Sequence, residues 1–263
     1  MEIKGVINTI DEFYNLISKI QSKRFEFTNG YFCQLYQELY RGQDNFNYKL
    51  EPSIIRNIKD RNVLELEESY FNQFKSKIEA NDGLKYIQLS ISENIIDYEN
   101  DWRYLEQMRH YGLPSRLLDW ALIPEVALYF ACEKHLDIDG QFWIFKSPLD
   151  WDCDDHFNIN PFKLKNTRVC NSSFYVEANS STAFAETNRG NQSGKFTIQN
   201  YLNCLIPLEE QLKFQELLEL YKIPANKKEN FLNFLKNERN IHSETIYSNL
   251  DNKIKAIVDS ISI

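Results

Sequence analysis

The segment Trp102–Cys132, with the sequence WRYLEQMRHYGLPSRLLDWALIPEVALYFAC, decides the fold because it contains two helix patterns of different character. Its first part repeats apolar side chains at helical spacing, at Trp102, Leu105, Met108 and Tyr111. Gly112 follows and is a natural C-terminal stop, since glycine adopts the left-handed conformation that ends many helices. The last part begins near Pro124 and is apolar on almost every side, which is typical of a buried helix.

Strand patterns lie on both sides of this segment. The run GQFWIFKS at Gly140–Ser147 has the bulk and length of an interior strand. Upstream, YRGQ at Tyr40–Gln43 is predicted to end a short strand that delivers Arg41, after which Gly42 and a Gln-Asp-Asn run turn the chain. Three further strand candidates are SSFYVEA at 172–178, GKFTI at 194–198 and NCLIP at 203–207.

Helical patterns account for most of the remaining apolar residues. From Thr9 to Ile20 they recur at helical spacing behind a capping pair, Thr9 and Glu12. Residues 61–78 and 87–96 are further helix candidates. After Pro207, the run LEEQLKFQELLELYKI is predicted to form a helix that ends before Pro224, and a polar stretch follows it. A short turn and an amphipathic helix are predicted within residues 243–261.

Together these patterns predict an α+β fold in which mixed small β-sheets are flanked by helices. The sequence of 263 residues is 43% apolar, so it can form a sizeable core without disulfide bonds or a structural metal. It contains no internal repeat and no low-complexity linker, and we therefore expect one domain rather than two.

The charge balance restricts the classes of partner. A formal net charge of −8 and a sequence pI near 5.2 disfavour an extended nucleic-acid surface, because such a surface needs clustered Lys and Arg. A local basic pocket is still compatible with these values. The first twenty residues lack the basic start and continuous apolar core of a signal peptide, and no window approaches a membrane span. We therefore expect a cytoplasmic protein with no membrane partner.

The cysteines predict neither disulfide bonds nor a zinc site. The five residues Cys33, Cys132, Cys153, Cys170 and Cys204 are odd in number, widely scattered and without a CxxC pair. The acidic run DWDCDD at 150–155 lacks the alternating oxygen ligands and the closing glutamate of a calcium loop. We therefore expect a reducing compartment and no bound metal.

Three segments together resemble one known family. They are YRGQ at 40–43, LEPSIIRN at 50–57 and QMRHYGLPSRLLDWALIPEVALYFACE at 107–133. In sequence and order they resemble the FRG-domain family, which is named after a Phe/Tyr-Arg-Gly motif. Further landmarks follow in the family's order: Arg189, Gln192, Gly194 and Phe196, then LIP at 205–207 and IYSNLDN at 246–252. The resemblance implies an N-terminal helical lead-in over residues 1–39 and an FRG domain over residues 40–263 that includes the C-terminal helices.

The order of the motifs also resembles that of ADP-ribosyltransferases. In that fold a first strand carries an arginine or histidine that fixes a dinucleotide, and a second strand places a serine beside the nicotinamide ribose. A later acidic residue promotes the transfer. This resemblance implies an ADP-ribosyltransferase-like core that uses NAD as a substrate. It also implies a macromolecular acceptor, which the sequence does not identify, and the bacterial context of a toxin or phage-defence effector.

The resemblance also implies roles for individual residues. Arg41 is the predicted pyrophosphate contact and Arg116 a second anion contact, because a guanidinium is a planar fork that stays charged. Ser115 would bond a ribose hydroxyl, and His110 would contact the nicotinamide. The predicted catalytic residues are Arg41, His110, Arg116, Asp119 and Gln192. The predicted residues that bind NAD or a related nucleotide are Tyr40, Arg41, Gly42, Gln43, Tyr111, Ser115 and Arg116.

One position departs from the transferase pattern. The third strand of such enzymes usually offers a glutamate two residues after Gln or Glu, and here that place, after Gln192, is Gly194. Either the acid comes from elsewhere, or the domain binds its ligand without turnover and acts as a sensor of a nucleotide or a protein. Hydrolysis of a nucleotide without group transfer is a third option. Candidates for the acid are Asp119, Glu177, Glu186 and Asp251.

Each of these predicted roles also has a purely structural alternative. A lone arginine in a core motif usually pairs with a carboxylate, and Arg41 would then pair with Asp119. A histidine at a helix C-terminus, such as His110, stabilises the helix dipole without touching a ligand. The positions of Arg41, His110, Arg116 and Gln192 in the folded chain distinguish the two interpretations, because a site requires them to line one cleft.

Overall fold

The computed structural model describes residues 1–28, 31–56, 62–81, 98–149, 159–164, 168–171, 194–247 and 252–261. The strands are β1 (Ile3–Val6), β2 (Phe25–Thr28), β3 (Tyr31–Gln34), β4 (Tyr36–Gln43), β5 (Leu117–Ala121), β6 (Gly140–Pro148), β7 (Arg168–Asn171), β8 (Gly194–Ile198) and β9 (Leu218–Ile223). The helices are α1 (Ile10–Ser22), α2 (Val63–Glu79), α3 (Glu99–His110), α4 (Pro124–Cys132), α5 (Leu212–Gln215), α6 (Ala225–Arg239), α7 (Ser243–Ile246) and α8 (Asn252–Asp259). Short 3-10 helices lie at Ser53–Ile55, Pro161–Lys163 and Leu208–Glu210.

Strand β4 lies at the centre of a mixed sheet. Seven of the described strands form this sheet in the order β1-β9-β6-β4-β5-β8-β7, while β2 and β3 pair separately. β4 is paired with β6 along its whole length, from Tyr36 opposite Pro148 to Gln43 opposite Gln141. On its other side it is paired with β5 at one position, Tyr40 opposite Ala121. The sheet is therefore continuous on one side of β4 and loosely joined on the other, next to Arg41.

The two faces of the sheet are covered by different elements. On one face α1, α4 and α6 pack together against β4, β6 and β9 in one buried apolar cluster. On the opposite face, β4, β5, β6 and β9 pack against α5 and the 3-10 helix Leu208–Glu210. α2, α3 and α8 form a third cluster against β5 and β8. Both faces of β4 and β6 are thus covered, which explains the continuous apolar run of β6 at Phe142–Phe145.

Gly42 sets the distance between α4 and the sheet. A Cβ atom at this position would lie 1.8 Å from the carbonyl oxygen of Ala127 and 2.4 Å from the amide nitrogen of Ala131. Only glycine allows the backbone of α4 to approach β4 this closely. The sequence resemblance implied that Gly42 binds NAD; the structure shows a helix backbone where its side chain would be, and Gly42 also lines a cleft.

A buried lysine joins α6 to two loops. The side chain of Lys228 is inaccessible to solvent, and its Nζ donates hydrogen bonds to the carbonyl oxygens of Asp44, Lys134 and His135 at 2.6, 3.1 and 3.0 Å. His135 has a positive φ of 45°, a conformation that non-glycine residues adopt rarely. The loop that follows α4 and the loop that follows β4 are therefore fixed by the same ammonium group.

The α+β class, with a mixed sheet flanked by helices, is confirmed, although the main sheet is larger than predicted. The predicted N-terminal helix corresponds to α1, whose N-cap Thr9 accepts a hydrogen bond from the amide of Glu12. The helices predicted at 61–78, before Gly112 and after Pro124 correspond to α2, α3 and α4. Gly112 has a φ of 96°, as expected of a helix stop. Whether this core is that of an ADP-ribosyltransferase stays a prediction.

The N-terminal segment contributes to the main sheet as well as a helix. β1 pairs in parallel with β9, and α1 packs in the same apolar cluster as α4. The predicted division between residues 39 and 40 lies within β4, which begins at Tyr36. Residues 1–39 and the remainder of the described chain therefore share one sheet and one core.

The predicted helix after Pro207 is wrong. Residues 208–223 form the 3-10 helix Leu208–Glu210, the single turn α5 and strand β9. The run LELYKI at Leu218–Ile223 has apolar residues that fit either period, and the tertiary context selects a strand because β1 and β6 pair with its two edges. The strand predicted at NCLIP is also wrong, since the amides of Cys204 and Ile206 donate to carbonyls within turns.

The polar stretch after Pro224 is in fact helix α6. Its buried residues are Lys228, Phe231 and Leu235, a stripe at spacings of three and four, and its large apolar side chains are confined to residues 231–235. So narrow a stripe gives little hydrophobic periodicity to detect. The candidates at 87–96, SSFYVEA at 172–178 and DWDCDD at 150–155 lie outside the described residues.

Two further observations apply to the described parts of the chain alone. None of their helices combines the length and the apolar character needed to cross a bilayer. They also contain no group of three or more His, Cys, Asp or Glu side chains placed to hold a metal ion.

Replacing Gly42 by alanine tests the close packing of α4 on β4. We expect Gly42→Ala to lower the free energy of unfolding by about 1–3 kcal/mol, since the added methyl group overlaps backbone atoms that cannot rotate away. Gly5→Ala is the matched control, because its Cβ would lie 3.4 Å from the ring of Tyr221. Urea denaturation measures both, and equal midpoints for the two variants would contradict this account.

Candidate functional site

A cleft opens where β4 and β5 diverge. Its cavity has a volume of about 750 Å³ and is lined by residues from β4, β5, β8, the end of α3 and the end of α4. Cavities of about 300–1,000 Å³ are typical of small-molecule and cofactor sites. The lining residues come from all three segments YRGQ, LEPSIIRN and QMRHYGLPSRLLDWALIPEVALYFACE, which the fold brings together.

Arg41 extends from β4 into this cleft. Its Nη1 donates a hydrogen bond of 2.7 Å to the backbone carbonyl oxygen of Asp119 on β5. Its Nε is buried and has no hydrogen-bond partner among the described residues. Burial lowers the pKa of Arg41 to about 9; Asp119 opposes this effect, while Arg56 and Arg109 add to it. The guanidinium is therefore oriented by one carbonyl and keeps an unused donor.

Two more arginines line the same cleft. Nε and Nη2 of Arg56 each donate to the carbonyl oxygen of Glu51 at 3.3 Å. Burial lowers the pKa of Arg56, and the charge of Arg109 lowers it further. Nη2 of Arg109 lies 2.7 Å from Oδ2 of Asp119 in an ion pair. The charges of Arg56 and Arg109 thus act against that of Arg41, and the charge of Arg109 acts against that of Arg56.

Asp119 is the carboxylate nearest to these arginines. Its side chain is 54% exposed and pairs with Arg109. Arg41 contacts the backbone carbonyl of Asp119 rather than its carboxylate, so the structural interpretation of an Arg41–Asp119 ion pair is not what the structure contains. With Asp119 engaged by Arg109, the arginine cluster retains an excess of positive charge that suits an anionic ligand.

His110 and Tyr111 take different positions at the end of α3. His110 lines the cleft, and its ring packs edge-to-face against Tyr111 with centroids 5.4 Å apart. Tyr111 packs against the apolar cluster under α2 and α3. His110 therefore lies where a ligand in the cleft would meet it, whereas Tyr111 contributes to the core.

Two further predicted residues of β4 border the cleft with most of their surface buried. Tyr40 is 1% exposed, and its ring stacks on Phe142 at 6.0 Å. Gln43 is 6% exposed and donates from Nε2 to the carbonyl oxygen of Lys49 at 3.2 Å. Its Oε1 is buried without a partner among the described residues. Gln43 thus offers an unused acceptor next to the unused donor of Arg41.

Comparison with known proteins supports the resemblance to the FRG-domain family. A family model described as FRG domain matches residues 37–140. The chain carries an FRG domain. The match begins in β4 and ends at the start of β6, so Arg41, Arg56, Arg109 and Asp119 all lie within the FRG domain. No curated protein and no solved structure matches the chain.

The FRG domain uses Arg116 internally rather than in the cleft. Arg116 is fully buried, with its Nε 2.5 Å from Oε2 of Glu67. Its two terminal nitrogens donate to the carbonyl oxygens of Gln199 and Pro161 at 2.7 and 2.8 Å. The ring of Tyr201 lies 3.7 Å from the guanidinium carbon. Every nitrogen of Arg116 is occupied, and the structure therefore gives it a structural position instead of the predicted anion contact.

Ser115 is also internal, contrary to its predicted place beside a ribose. It is fully buried, and its amide donates to Oγ of Ser53 at 3.1 Å. The amides of Leu117 and Ile54 donate to its Oγ and its carbonyl oxygen, each at 3.3 Å. Ser115 thus fastens the 3-10 helix Ser53–Ile55 to the start of β5. Because Arg56 directly follows that 3-10 helix, Ser115 helps to place a cleft residue without entering the cleft.

Gly194, the position that breaks the transferase pattern, begins β8 and lines the cleft. A Cβ atom there would lie 2.8 Å from the carbonyl oxygen of Trp120, so no side chain fits without a shift of the backbone. The predicted catalytic residue Gln192 lies outside the described residues. The structure therefore brings together Arg41, His110, Asp119 and Gln43, and leaves Arg116 and Ser115 inside.

Sequence reasoning missed Arg56, Arg109 and Glu133 as cleft residues. Arg56 and Arg109 stand within the segments that carried the family resemblance, LEPSIIRN and QMRHYG, so their motifs were the available signal. Glu133 is the last residue of the family segment 107–133, but it follows the mostly apolar α4, whose sequence indicates a buried helix rather than a site. Arg116 was predicted as a site residue because it stands in the same motif. It directly precedes β5, and the order of apolar and polar residues in that strand does not indicate that the Arg116 side chain points into the core.

Removing the charge of Glu67 tests the internal role of Arg116. We expect Glu67→Gln to lower the free energy of unfolding by about 3–5 kcal/mol, because it leaves a buried guanidinium without its counterion. Asp119→Asn, which breaks the more exposed pair with Arg109, is expected to cost at most about 1 kcal/mol. Chemical denaturation compares them, and a smaller loss for Glu67→Gln than for Asp119→Asn would contradict this assignment.

Proposed function

We propose that this FRG-domain protein is an NAD-dependent ADP-ribosyltransferase that modifies a macromolecule. The observation that carries the proposal is the convergence of Arg41, Arg56 and Arg109 in one cleft. Burial lowers the pKa of Arg41 and Arg56, repulsion from neighbouring guanidinium groups lowers it further, and a bound pyrophosphate would offset that repulsion. A site that is strained by like charges in the absence of its ligand is typical of an anion-binding site.

The donors and acceptors that the fold leaves unused support a dinucleotide as the ligand. Nε of Arg41, Nε of Arg109 and Oε1 of Gln43 are buried, and none has a partner among the residues that the structure describes. Buried polar atoms are nearly always paired in proteins, so atoms left over in a cleft favour a bound partner. A guanidinium can bind two phosphate oxygens at once, and a ribose hydroxyl can donate to an amide oxygen such as that of Gln43.

In the proposed reaction, the bond between C1′ of the nicotinamide ribose and the ring nitrogen breaks. Nicotinamide leaves with the bonding electron pair, and a nucleophilic atom of the acceptor forms the new bond to C1′. The proton of that nucleophile passes to a carboxylate, for which Asp119 is the predicted residue of the cleft. Arg41 and Arg56 would hold the pyrophosphate, and His110 would contact the nicotinamide end. The other predicted acids, Glu177, Glu186 and Asp251, lie outside the described residues.

The proposed biological setting is the bacterial cytoplasm, in the role of a toxin or a phage-defence effector. This setting follows from the use of related domains and not from the geometry of the cleft. The acceptor molecule is left open.

A second function is favoured by one observation, the close contact at Gly194. Because a side chain at this position would meet the carbonyl of Trp120, the cleft has no room for a carboxylate at the place where the transferase pattern puts one. A domain that binds the dinucleotide through its arginines and does not cleave it would act as a sensor module. The sensor and the enzyme share the binding site and differ only in turnover.

Labelled NAD distinguishes these functions. We expect the purified full chain, incubated with NAD labelled in its adenylate phosphate and with cell lysate, to label a macromolecule and release nicotinamide. Arg41→Ala should reduce labelling at least about tenfold, because a charge-assisted hydrogen bond contributes roughly 1.5–3 kcal/mol. Arg239→Ala is the matched control, since it removes an exposed arginine of α6 whose Nε contacts Tyr14 rather than the cleft.

Three other results would each revise the proposal. Binding of NAD by the wild-type protein, with neither labelling nor nicotinamide release, would replace the enzyme by the sensor. Equal labelling by wild type and Arg41→Ala would remove Arg41 from the site. No binding, combined with a lower melting temperature for Arg41→Ala, would show that this arginine stabilises the fold alone.

A further inference from the structure

The end of α4 places an acidic group in the same cleft. Glu133 follows the last residue of α4 and lines the cavity, and its side chain is 13% exposed. Its Oε2 accepts a hydrogen bond of 2.7 Å from the hydroxyl of Tyr247. The hydroxyl of Tyr129, one turn earlier on α4, also interacts with this carboxylate. Glu133 is thus a mostly buried carboxylate held by Tyr247, with Tyr129 nearby.

Tyr247 donates to Glu133, and both this residue and the nearby Tyr129 keep their phenolic protons at neutral pH. Burial raises the pKa of Tyr129 to about 12, and the charge of Glu133 contributes to this rise. Burial, followed by the hydrogen bond to Glu133, also raises the pKa of Tyr247. A phenol that keeps its proton donates, and the carboxylate accepts. The hydroxyl of Tyr247 therefore fixes the orientation of Glu133 but leaves its negative charge in place, because this donor is not a cation.

The surroundings of Glu133 suit a positively charged ring. The rings of Phe130 and Tyr247 pack edge-to-face with centroids 6.4 Å apart, and both residues line the cavity beside Glu133. Aromatic faces together with a carboxylate are the groups that proteins use to bind organic cations. Lys134 is a weak competitor for this charge, since its ammonium lies 4.0 Å from Oε1 of Glu133 and its side chain is 68% exposed.

The cleft consequently has two kinds of charge. Arg41, Arg56 and Arg109 supply positive charge near β4 and β5, whereas Glu133 supplies negative charge at the end of α4. Among the described residues, no ion pair joins any of these arginines to Glu133. NAD has the complementary arrangement, with an anionic pyrophosphate and a cationic nicotinamide ring. The arginines alone would accept many phosphates, but the carboxylate adds a requirement for a cation at the other end.

We propose that Glu133, held by Tyr247 and flanked by Phe130, is a subsite for the cationic nicotinamide ring of NAD. This inference rests on the proposed use of NAD and adds the direction in which the dinucleotide lies. The pyrophosphate contacts the arginines, and the nicotinamide end lies at the end of α4. Glu133 then discriminates the oxidised from the reduced dinucleotide, because NADH carries the same pyrophosphate but a neutral ring.

Calorimetric binding of NAD⁺ and NADH to the full-length chain tests this subsite. We expect the wild-type protein to bind NAD⁺ about tenfold more tightly than NADH, as one partly shielded charge pair would give. In Glu133→Gln, which keeps the shape and removes the charge, the two affinities should differ by less than about twofold. Arg41→Ala should weaken both ligands by a similar factor and keep their ratio, since it acts on the shared pyrophosphate.

A second variant protects the test against a folding defect in Glu133→Gln. Tyr247→Phe removes one donor but keeps the charge of Glu133, so it should retain most of the preference for NAD⁺. Equal affinity of the wild-type protein for NAD⁺ and NADH would overturn the subsite, and so would an unchanged ratio in Glu133→Gln. In either case, ADP-ribosylation by the wild-type protein would leave the proposed function standing. Failure to bind either dinucleotide would overturn both proposals.

Discussion

The close contact between Gly42 and the backbone of α4 is the constraint on which the rest of the structure depends. Because this position has no side chain, α4 lies directly on β4, and the residues at the ends of both elements meet at one cleft. Arg41 reaches the cleft from the strand, and Glu133 reaches it from the helix. An added methyl group at residue 42 would therefore move two charged groups of opposite sign relative to each other. Gly42 of the YRGQ motif therefore affects the site by setting the distance between the backbones of β4 and α4.

Two arginines of the same fold show how partners decide the role of a guanidinium. Arg116 has a carboxylate, two carbonyls and an aromatic face around it, so that all its donors are used inside the protein. Arg41 has one carbonyl and two like charges near it, so that its charge is only partly compensated. The first arrangement stabilises a folded chain and the second prepares a binding site. Neither arrangement can be distinguished from the motif alone, because both arginines stand in family segments.

Much of the architecture could be predicted from local patterns. The cap at Thr9, the stop at Gly112 and the all-round apolar run of α4 each depend on a few neighbouring residues, and all three are confirmed. The predictions are wrong where contacts with distant parts of the chain determine the secondary structure. β9 became a strand because β1 and β6 lie on either side of it, and α6 is a helix although its buried stripe is narrow. At the site, motif order identified Arg41, His110 and Asp119, while Glu133 required the three-dimensional position of Tyr247.

The contacts of the Lys228 ammonium limit how far this domain can be truncated. The family match ends at residue 140, but Lys228 belongs to α6 and binds carbonyls of Asp44, Lys134 and His135, all within residues 37–140. β9 likewise covers the open edge of β6, and β8 covers the open edge of β5. A fragment limited to the matched residues would expose two unpaired strand edges and lose the cation that orders the loops beside the cleft. The segment that matches the family model is thus smaller than the unit that folds.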